Sequence, residues 1–477
     1  MFVLCSPIFP QAAGRSGNRV ILLPDTLGHM VVEPARPRGL TLLRALSRSQ
    51  LALWIAFALV QLWLGFLALY APGLPLGDVT LVYKFWVEQA LGNGFWVGID
   101  SAWVYPILAL APMLGASVFG MEQYGPTWIS IVILLNAVAM GFLTGWGRRP
   151  ERTAAGWWWV AFLALLGPIA LGRIDSITVP LALVGVLLLA TRPLLASVIL
   201  AVATWIKVWP AALLLAAVVA VRERLTVVAG AMVTTLAVLL GALAVGGSAS
   251  ILSFITEQTG RGLQIEAPVS TIWMWMTRLG VPGTRVYYDR DILTYQVMGP
   301  GWEEAASIMT PILAVVVAAI VLLGVRSLRA GASAGDLLPP LALALVTTLI
   351  AFNKVGSPQF VSWLAVPIVL GLATSAAGLG RSFRTPASLT LVIAALTQLV
   401  YPYFYGWLLA LDVPMLTVLT ARNVLYFVLL GWAVSAIITA PRWSLAPATE
   451  PAVDASWPLS ETVVGTPRPL ADTSEKE

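Results

Sequence analysis

Cysteine and histidine are almost absent from this sequence, which contains one of each, Cys5 and His29, in 477 residues. A single cysteine cannot form an intrachain disulfide. One histidine and one cysteine, both in the polar N-terminal segment, provide neither a histidine-based metal site nor a Cys/His nucleophile pair. Acid–base chemistry is therefore left to Asp, Glu, Lys and Tyr side chains.

Charged residues are also scarce, at 11% of the chain, whereas hydrophobic residues make up 59% and tryptophan occurs 20 times. Soluble domains are about half apolar, and the mean hydropathy of +0.87 lies well above that class. The composition predicts an all-α polytopic membrane protein. The net charge of +5 is typical of arginine-rich loops at an anionic membrane surface. Without a stripe of basic and aromatic residues, we predict membrane lipids and no nucleic acid among the partners.

Apolar segments predict about twelve transmembrane helices between residues 50 and 440. Arginines in the tail 1–49 place it in the cytoplasm by the positive-inside rule. The tail 441–477, rich in Pro, Thr and acidic residues, is predicted to be cytoplasmic and disordered. With this topology the later arginine clusters lie on the cytoplasmic face of the membrane. The unusual polar motifs lie on the outer face, many of them in the loops 72–125 and 247–306. We therefore predict a multi-pass plasma-membrane protein with one extracytoplasmic site.

The stretch after the first span carries two acids, Asp78 and Asp100. Apolar residues recur at helical spacing over 79–90 and predict a helix that lies in the membrane interface. The short apolar run Ile107 to Gly120 predicts a second interfacial or re-entrant helix. An acid beside such a helix is a candidate catalytic group, and Asp78 is our candidate. The alternative is an ordinary N-cap, in which the carboxylate accepts hydrogen bonds from backbone N–H groups.

Other polar residues of the predicted outer face suit a lipid-phosphate-sugar ligand, because a leaving phosphate gains negative charge that cations stabilise. Our candidates for binding a donor phosphate or sugar are Arg173, Lys207, Arg261, Gln264, Glu266, Lys354 and Gln359. Our candidates for binding an acceptor are Tyr83, Asp100, Tyr105 and Trp273.

Each candidate has a simpler interpretation. Lys207 could extend its ammonium to the interface without a further role, and Arg173 could pair with Asp175 across a tight turn. Trp273 could be an interfacial anchor. Four loop residues are predicted to form a solvated patch: Arg285, Asp289, Arg290 and Asp291.

Five short motifs in this order carry a resemblance to a known family. They are Gly77-Asp78 with Tyr83, Tyr105-Pro106, Ile206-Lys207 with Pro210, Arg261 to Glu266, and Lys354 with Ser357-Pro358-Gln359-Phe360. Over residues 50–440 the chain resembles GT-C-type integral membrane glycosyltransferases, most closely the actinobacterial polyprenol-phosphate-mannose-dependent α-1,2-mannosyltransferase family. It departs from the family pattern where Ile107 stands in place of a second proline, and where Arg173-Ile174-Asp175 replaces a segment that often contains Asn.

The resemblance implies a GT-C-like catalytic domain over 50–440. It implies transfer of a hexose, mannose in that family, from a polyprenyl-phosphate carrier to a lipid-linked or glycan acceptor. Asp78 would act as general base in an inverting reaction, and no metal or other cofactor would be required. The alternative from another functional class is a multispan transporter or flippase of lipid-linked sugars. Such a protein would place its ionisable residues near the middle of the membrane, whereas most of those here lie towards one edge.

Overall fold

The computed structural model describes residues 47–257 and 260–445. Its helical content and candidate membrane spans confirm the predicted all-α polytopic membrane protein. The α-helices are α1 (Gln50–Tyr70), α2 (Lys84–Asn93), α3 (Leu110–Gly115), α4 (Tyr124–Thr144), α5 (Thr153–Leu166), α6 (Asp175–Leu188), α7 (Pro193–Ile206), α8 (Ala211–Ala220), α9 (Arg224–Ala244), α10 (Ser253–Thr256), α11 (Thr271–Arg278), α12 (Trp302–Arg329), α13 (Ala334–Ala351), α14 (Ala365–Ala376), α15 (Arg384–Gln398), α16 (Tyr405–Leu409) and α17 (Val413–Leu445).

Nine helical stretches within the described ranges are long and apolar enough to cross a membrane. They contain α1, α4, α5, α9, α12, α13, α14, α15 and α17. Three shorter apolar helices, α6, α7 and α8, lie between α5 and α9 in the chain. Together these helices coincide with the twelve apolar segments predicted from the sequence. The predicted tails lie mostly outside the described residues.

The predicted break between α7 and α8 occurs at Lys207, whose backbone is extended, with φ −153° and ψ 131°. Pro210 lacks an amide N–H and restricts the residue before it, so a continuous helix through this point is disfavoured. The amide of Lys207 still donates to the carbonyl of Ala203 at 2.9 Å. The break therefore places the Lys207 side chain between two helices.

Burial separates the helices into a central and a peripheral set. In α13, 83% of the apolar stretch is buried inside the protein, against 17% in α12. Helices α9 and α12 instead expose large apolar side chains such as Leu236, Leu240, Val315 and Leu322. In a membrane protein, exposed apolar side chains on long helices are solvated by lipid. Helices α9 and α12 therefore have the composition of lipid-facing helices, and α13 that of a central one.

The segment between α1 and α4 is helical where the sequence predicted interfacial helices. Asp78–Tyr83 forms a π-helical segment that continues directly into α2. The second predicted helix is a short 3₁₀ turn, Ile107–Ala109, followed by α3. This segment holds a cluster of aromatic rings with centroids 5.3 to 6.2 Å apart: Tyr83, Trp86, Trp103 and Tyr105.

The loop 247–306 contains a small antiparallel sheet that the sequence analysis did not predict. Its strands are β1 (Leu263–Gln264), β2 (Arg285–Asp289) and β3 (Thr294–Met298), in the order β1-β3-β2. Tyr288 pairs with Tyr295, and Val286 with Val297. Arg285, Arg290 and Asp291 are exposed, as predicted for a solvated patch. Asp289 is half-buried at the end of β2, where its Oδ2 accepts from Nε2 of Gln296 at 2.6 Å. Alternation of apolar and polar residues on both sides of a short turn was the missed signal.

Candidate active site

Asp78 forms an ion pair with a distant arginine. Its Oδ2 lies 3.0 Å from Nε of Arg173. The Asp78 side chain is 41% exposed, whereas that of Arg173 is 8% exposed. Among the described residues, Oδ1 of Asp78 takes no hydrogen bond. The carboxylate is therefore held by one oxygen, and its second oxygen remains accessible to a hydroxyl group.

Arg173 is fixed by four contacts that leave little freedom to its guanidinium. Nη1 donates to the carbonyl oxygens of Pro75 and Gly172, both at 2.7 Å, and Nη2 donates to the Tyr401 hydroxyl at 3.0 Å. Nε faces Asp78 in the ion pair, so each of the three guanidinium nitrogens has a partner. Gly172 is required at its position because a Cβ there would lie 2.5 Å from the Pro75 oxygen. The geometry favours a positioning role for Arg173, and its predicted contact with the donor stays a prediction.

The pKa of the Tyr83 phenol is raised well above its usual value. Burial is the main cause, and the neighbouring Tyr105 and Asp78 add to it. The Tyr83 hydroxyl accepts a hydrogen bond from the amide of Ile174 at 3.3 Å and lies 3.5 Å from the hydroxyl of Tyr105. Tyr83 therefore links the Asp78 segment to the turn that carries Arg173, and links both to Tyr105.

Lys207 approaches the same cluster from the break between α7 and α8. Its Nζ lies 4.5 Å from the centre of the Tyr105 ring and 5.9 Å from that of Phe360. Within the described ranges, this ammonium has aromatic neighbours and no carboxylate or hydrogen-bond partner. A cation held against ring faces without a counter-ion is suited to binding an anion.

Arg261 is a second cation near Tyr105. Its Nε is buried and finds no hydrogen-bond partner among the described residues. Burial lowers the pKa of Arg261, and Tyr105, Glu257 and Asp289 exert weaker opposing effects. Arg261 is therefore a largely buried cation within electrostatic range of Tyr105, and its contact with a donor phosphate stays a prediction.

Glu266 lies deeper and is paired with an arginine of a membrane-spanning helix. Its Oε2 accepts from Nη1 of Arg422 at 2.9 Å, and its backbone oxygen accepts from Nη2 at 2.8 Å. Both side chains are buried, at 4% and 2% exposure. Burial raises the pKa of Glu266, and the charges of Arg422 and Arg173 oppose that shift. Glu266 and Arg422 therefore form a buried ion pair between the loop 247–306 and α17.

The neighbours of Glu266 are held by the turn between α13 and α14. The amide of Gln264 donates to the carbonyl of Lys354 at 3.0 Å. Gly356 lies so close that an added Cβ would be 2.0 Å from the amide nitrogen of Ala267. Burial lowers the pKa of the Lys354 ammonium. Gln359 is buried at the start of the 3₁₀ helix Pro358–Leu364, which also supplies the Phe360 ring beside Lys207.

Three residues considered from the sequence lie apart from this cluster. Asp100 accepts a hydrogen bond from the amide of Trp96 at 2.7 Å and stabilises a local turn. Trp273 is packed in a separate hydrophobic core, where its Nε1 donates to Pro300 O at 3.1 Å. Asp175 does not pair with Arg173, because its Oδ1 accepts from the Trp363 indole at 2.6 Å. The alternative interpretation of an Arg173–Asp175 pair is therefore wrong.

Two residues of the cluster were missed by the sequence analysis, Arg422 and Tyr401. Arg422 is a charged residue within an otherwise apolar span, which is itself a signal of function. Tyr401 accepts from Arg173 and contacts Tyr405, with ring centroids 5.4 Å apart. It follows the last apolar turn of α15 and offers no sequence signal beyond its aromatic neighbours.

A largely apolar cavity of about 470 Å³ is lined by residues of the segment that follows Tyr105 in the chain. Its lining begins at Ile107 and Leu108, immediately after Tyr105-Pro106, and extends to Trp96 and Val245. Across the described ranges, no group of three or more His, Cys, Asp or Glu side chains is arranged to hold a metal ion. The local chemistry is thus that of an exposed carboxylate, several cations and an adjacent apolar space.

One protein-family model matches part of the chain. The model of glycosyltransferase family 87 matches residues 103–287. This range includes Tyr105, Arg173, Lys207 and Glu266, and it ends within β2. The match indicates a membrane glycosyltransferase. No curated protein and no solved structure matched the chain.

Proposed function

We propose that this membrane glycosyltransferase transfers a hexose, mannose by preference, from a polyprenyl-phosphate carrier to a lipid-linked or glycan acceptor on the extracytoplasmic face. The observation that carries the proposal is the ion pair of Asp78 with Arg173, which leaves Oδ1 accessible. An oriented carboxylate with one accessible oxygen is the group that a general base requires.

In the proposed reaction, Oδ1 of Asp78 accepts the proton of an acceptor hydroxyl. The acceptor oxygen forms a bond to the anomeric carbon, and the bond from that carbon to the phosphate oxygen breaks. The phosphate leaves with the bonding electron pair, and attack from the opposite face inverts the configuration. A lipid phosphate is a good leaving group, so one base is sufficient and no metal or cofactor is invoked.

Lys207 and Arg261 are the proposed ligands of the donor phosphate. The Lys207 ammonium lies against the Tyr105 ring and has no carboxylate partner among the described residues. Arg261 lies within electrostatic range of the same tyrosine. As the bond to the sugar breaks, the phosphate gains a second negative charge, which two nearby cations stabilise. Tyr105, which is half-buried and whose hydroxyl lies 3.5 Å from that of the buried Tyr83, is the proposed floor for the sugar.

Replacing Asp78 by asparagine tests the role of the base. The purified Asp78→Asn variant in lipid nanodiscs, given radiolabelled polyprenyl-phosphate-mannose and extracted membrane lipids, should lose about 10²- to 10⁴-fold in transfer rate, the usual contribution of a general base. Asp291→Asn, at an exposed hairpin position, is the matched control and should retain activity. Undiminished transfer by Asp78→Asn would remove Asp78 from the mechanism. No transfer by the wild-type protein from any polyprenyl-phosphate sugar, with movement of the intact lipid instead, would favour the transporter.

A further inference from the structure

The Lys207 ammonium lies between two aromatic rings. Its Nζ is 4.5 Å from the centre of the Tyr105 ring and 5.9 Å from that of the Phe360 ring. Both distances lie within the range of about 6 Å in which a ring face attracts a cation. A lysine side chain has a long, flexible stem, so the backbone at the helix break does not by itself fix the ammonium. The position of the ammonium therefore depends on the positions of the two rings.

Phe360 is the first ring of a stack of three. It stacks on Trp363, with centroids 4.3 Å apart, and Trp363 stacks on Trp209 at 5.4 Å with an interplanar angle of 7°. All three side chains are buried. Trp209 follows Lys207 by two residues, so the stack also packs against the segment that carries the lysine. A displacement of Trp363 would therefore displace the Phe360 ring beside the ammonium.

The first turn of α6 anchors both indoles of this stack. Nε1 of Trp363 donates to Oδ1 of Asp175 at 2.6 Å, and Nε1 of Trp209 donates to Oγ1 of Thr178 at 2.9 Å. Asp175 is 1% exposed, and its Oδ2 has no hydrogen-bond partner among the described residues. Hydrogen bonds are directional, so the carboxylate of Asp175 fixes the orientation of the Trp363 ring.

We propose that Asp175 is a positioning residue that holds the Lys207 ammonium in place through the stacked rings of Trp363 and Phe360. This inference rests on the proposed function, in which Lys207 binds the donor phosphate. Asp175 lies outside the cluster around Asp78 and takes no part in proton transfer. Arg173, which pairs with Asp78, directly precedes the same turn. The short segment 173–178 then sets the positions of both the base and the phosphate ligand.

The test is the reactivity of the Lys207 amine in nanodiscs without substrate. Acetylation by an N-hydroxysuccinimide ester, measured at Lys207 by mass spectrometry, is slowed by rings that cover the side chain. Phe360→Leu removes one ring, and Asp175→Leu removes the acceptor that orients Trp363. Each should raise the acetylation rate by about three- to tenfold, as expected for the loss of one cation–π contact. Asp175→Asn keeps an acceptor oxygen for the indole N–H and should keep the wild-type rate.

Trp363→Phe removes the same hydrogen bond from the other side and keeps an aromatic ring in the stack. Its acetylation rate should equal that of Asp175→Leu, and the double variant should show no further increase, because both changes remove one shared contact. Trp158→Phe is the matched control and should keep the wild-type rate. Trp158 also donates its indole N–H, to the Ala387 oxygen at 3.0 Å, and stacks on Phe162 at 5.2 Å.

Two results would overturn the proposal. One is a wild-type acetylation rate in both Asp175→Leu and Trp363→Phe, and the other is an equal increase in Asp175→Asn and Asp175→Leu, since the charge of the carboxylate would then be responsible. If Asp175→Leu does not fold, Trp363→Phe decides alone.

The same variants, assayed for transfer, should raise the KM for the donor by a similar factor and leave kcat little changed. A higher acetylation rate with an unchanged donor KM would support the role of Asp175 and refute Lys207 as a ligand of the donor phosphate. Failure of the inference and failure of the proposed function are therefore distinguishable.

Discussion

Replacing Arg173 by lysine tests whether Arg173 acts by orienting the Asp78 carboxylate or only by placing a positive charge beside it. Lysine retains the positive charge, but its three N–H groups radiate from one atom. It cannot reach Asp78, the Pro75 and Gly172 carbonyls and the Tyr401 hydroxyl together, as the guanidinium does at 2.7 to 3.0 Å. The charge-assisted contact to Oδ2 is therefore the one we expect to be lost.

The loss of one such contact costs about 1.5–3 kcal/mol, which corresponds to roughly a tenfold to 150-fold decrease in rate. Because Asp78 acts in the chemical step, the decrease should fall on kcat, with the KM for the donor little changed. Initial rates of transfer from polyprenyl-phosphate-mannose in nanodiscs measure both quantities, and thermal unfolding establishes that the variant is folded.

Arg285→Lys is the matched control for this substitution. Arg285 is exposed on β2, where its Nε donates to Met298 Sδ and its guanidinium lies 5.9 Å from the Tyr287 ring. If folded Arg173→Lys has the same kcat as this control, Arg173 does not orient the base. If instead the KM for the donor rises while kcat is kept, Arg173 is a ligand of the donor phosphate, as the sequence analysis predicted.

Two further predictions concern the donor site and its support. Lys207→Met should raise the KM for the donor by about ten- to a hundredfold, since one charged contact to phosphate is lost. Lys84→Met is the control: it removes a half-buried ammonium 3.7 Å from Glu88 and should change little. Gly356→Ala should lower the unfolding temperature and the activity together, because the new Cβ would meet the amide nitrogen of Ala267 at 2.0 Å; Gly406→Ala, which has nothing within 4 Å, should do neither. The first interpretation is wrong if Lys207→Met has the wild-type KM for the donor. The second is wrong if Gly356→Ala unfolds at the same temperature as Gly406→Ala.

The positions of the helices were predictable because a membrane restricts the backbone conformations that a spanning segment can adopt. Backbone polar groups in lipid must be paired within the segment, so long apolar stretches become helices whatever their detailed sequence. The break at Lys207 was equally local, because Pro210 disfavours a continuous helix. Hydropathy gave no warning of the hairpin β2–β3, since its strands are short, partly polar and enclosed by apolar spans. Only the alternation around Tyr288 and Tyr295 distinguishes them from a loop.

The two ion pairs of the candidate site, Asp78–Arg173 and Glu266–Arg422, were not predictable, because each joins elements that are far apart in the sequence. Asp78 was found as a lone acid after α1, but nothing around it in the chain identifies Arg173 as its partner. The nearest acid to Arg173 in the sequence is Asp175, which instead accepts the Trp363 indole N–H.

Arg422 could have been singled out from the sequence, because a charged side chain is costly to bury within a membrane span. An arginine in the middle of an apolar span requires a counter-ion from another element. The buried acid that supplies it, Glu266, lies in a loop whose glycines and arginine had suggested ligand binding alone. Glu266 and Arg422 are buried together at 4% and 2% exposure, so that neither charge is left uncompensated in the protein interior.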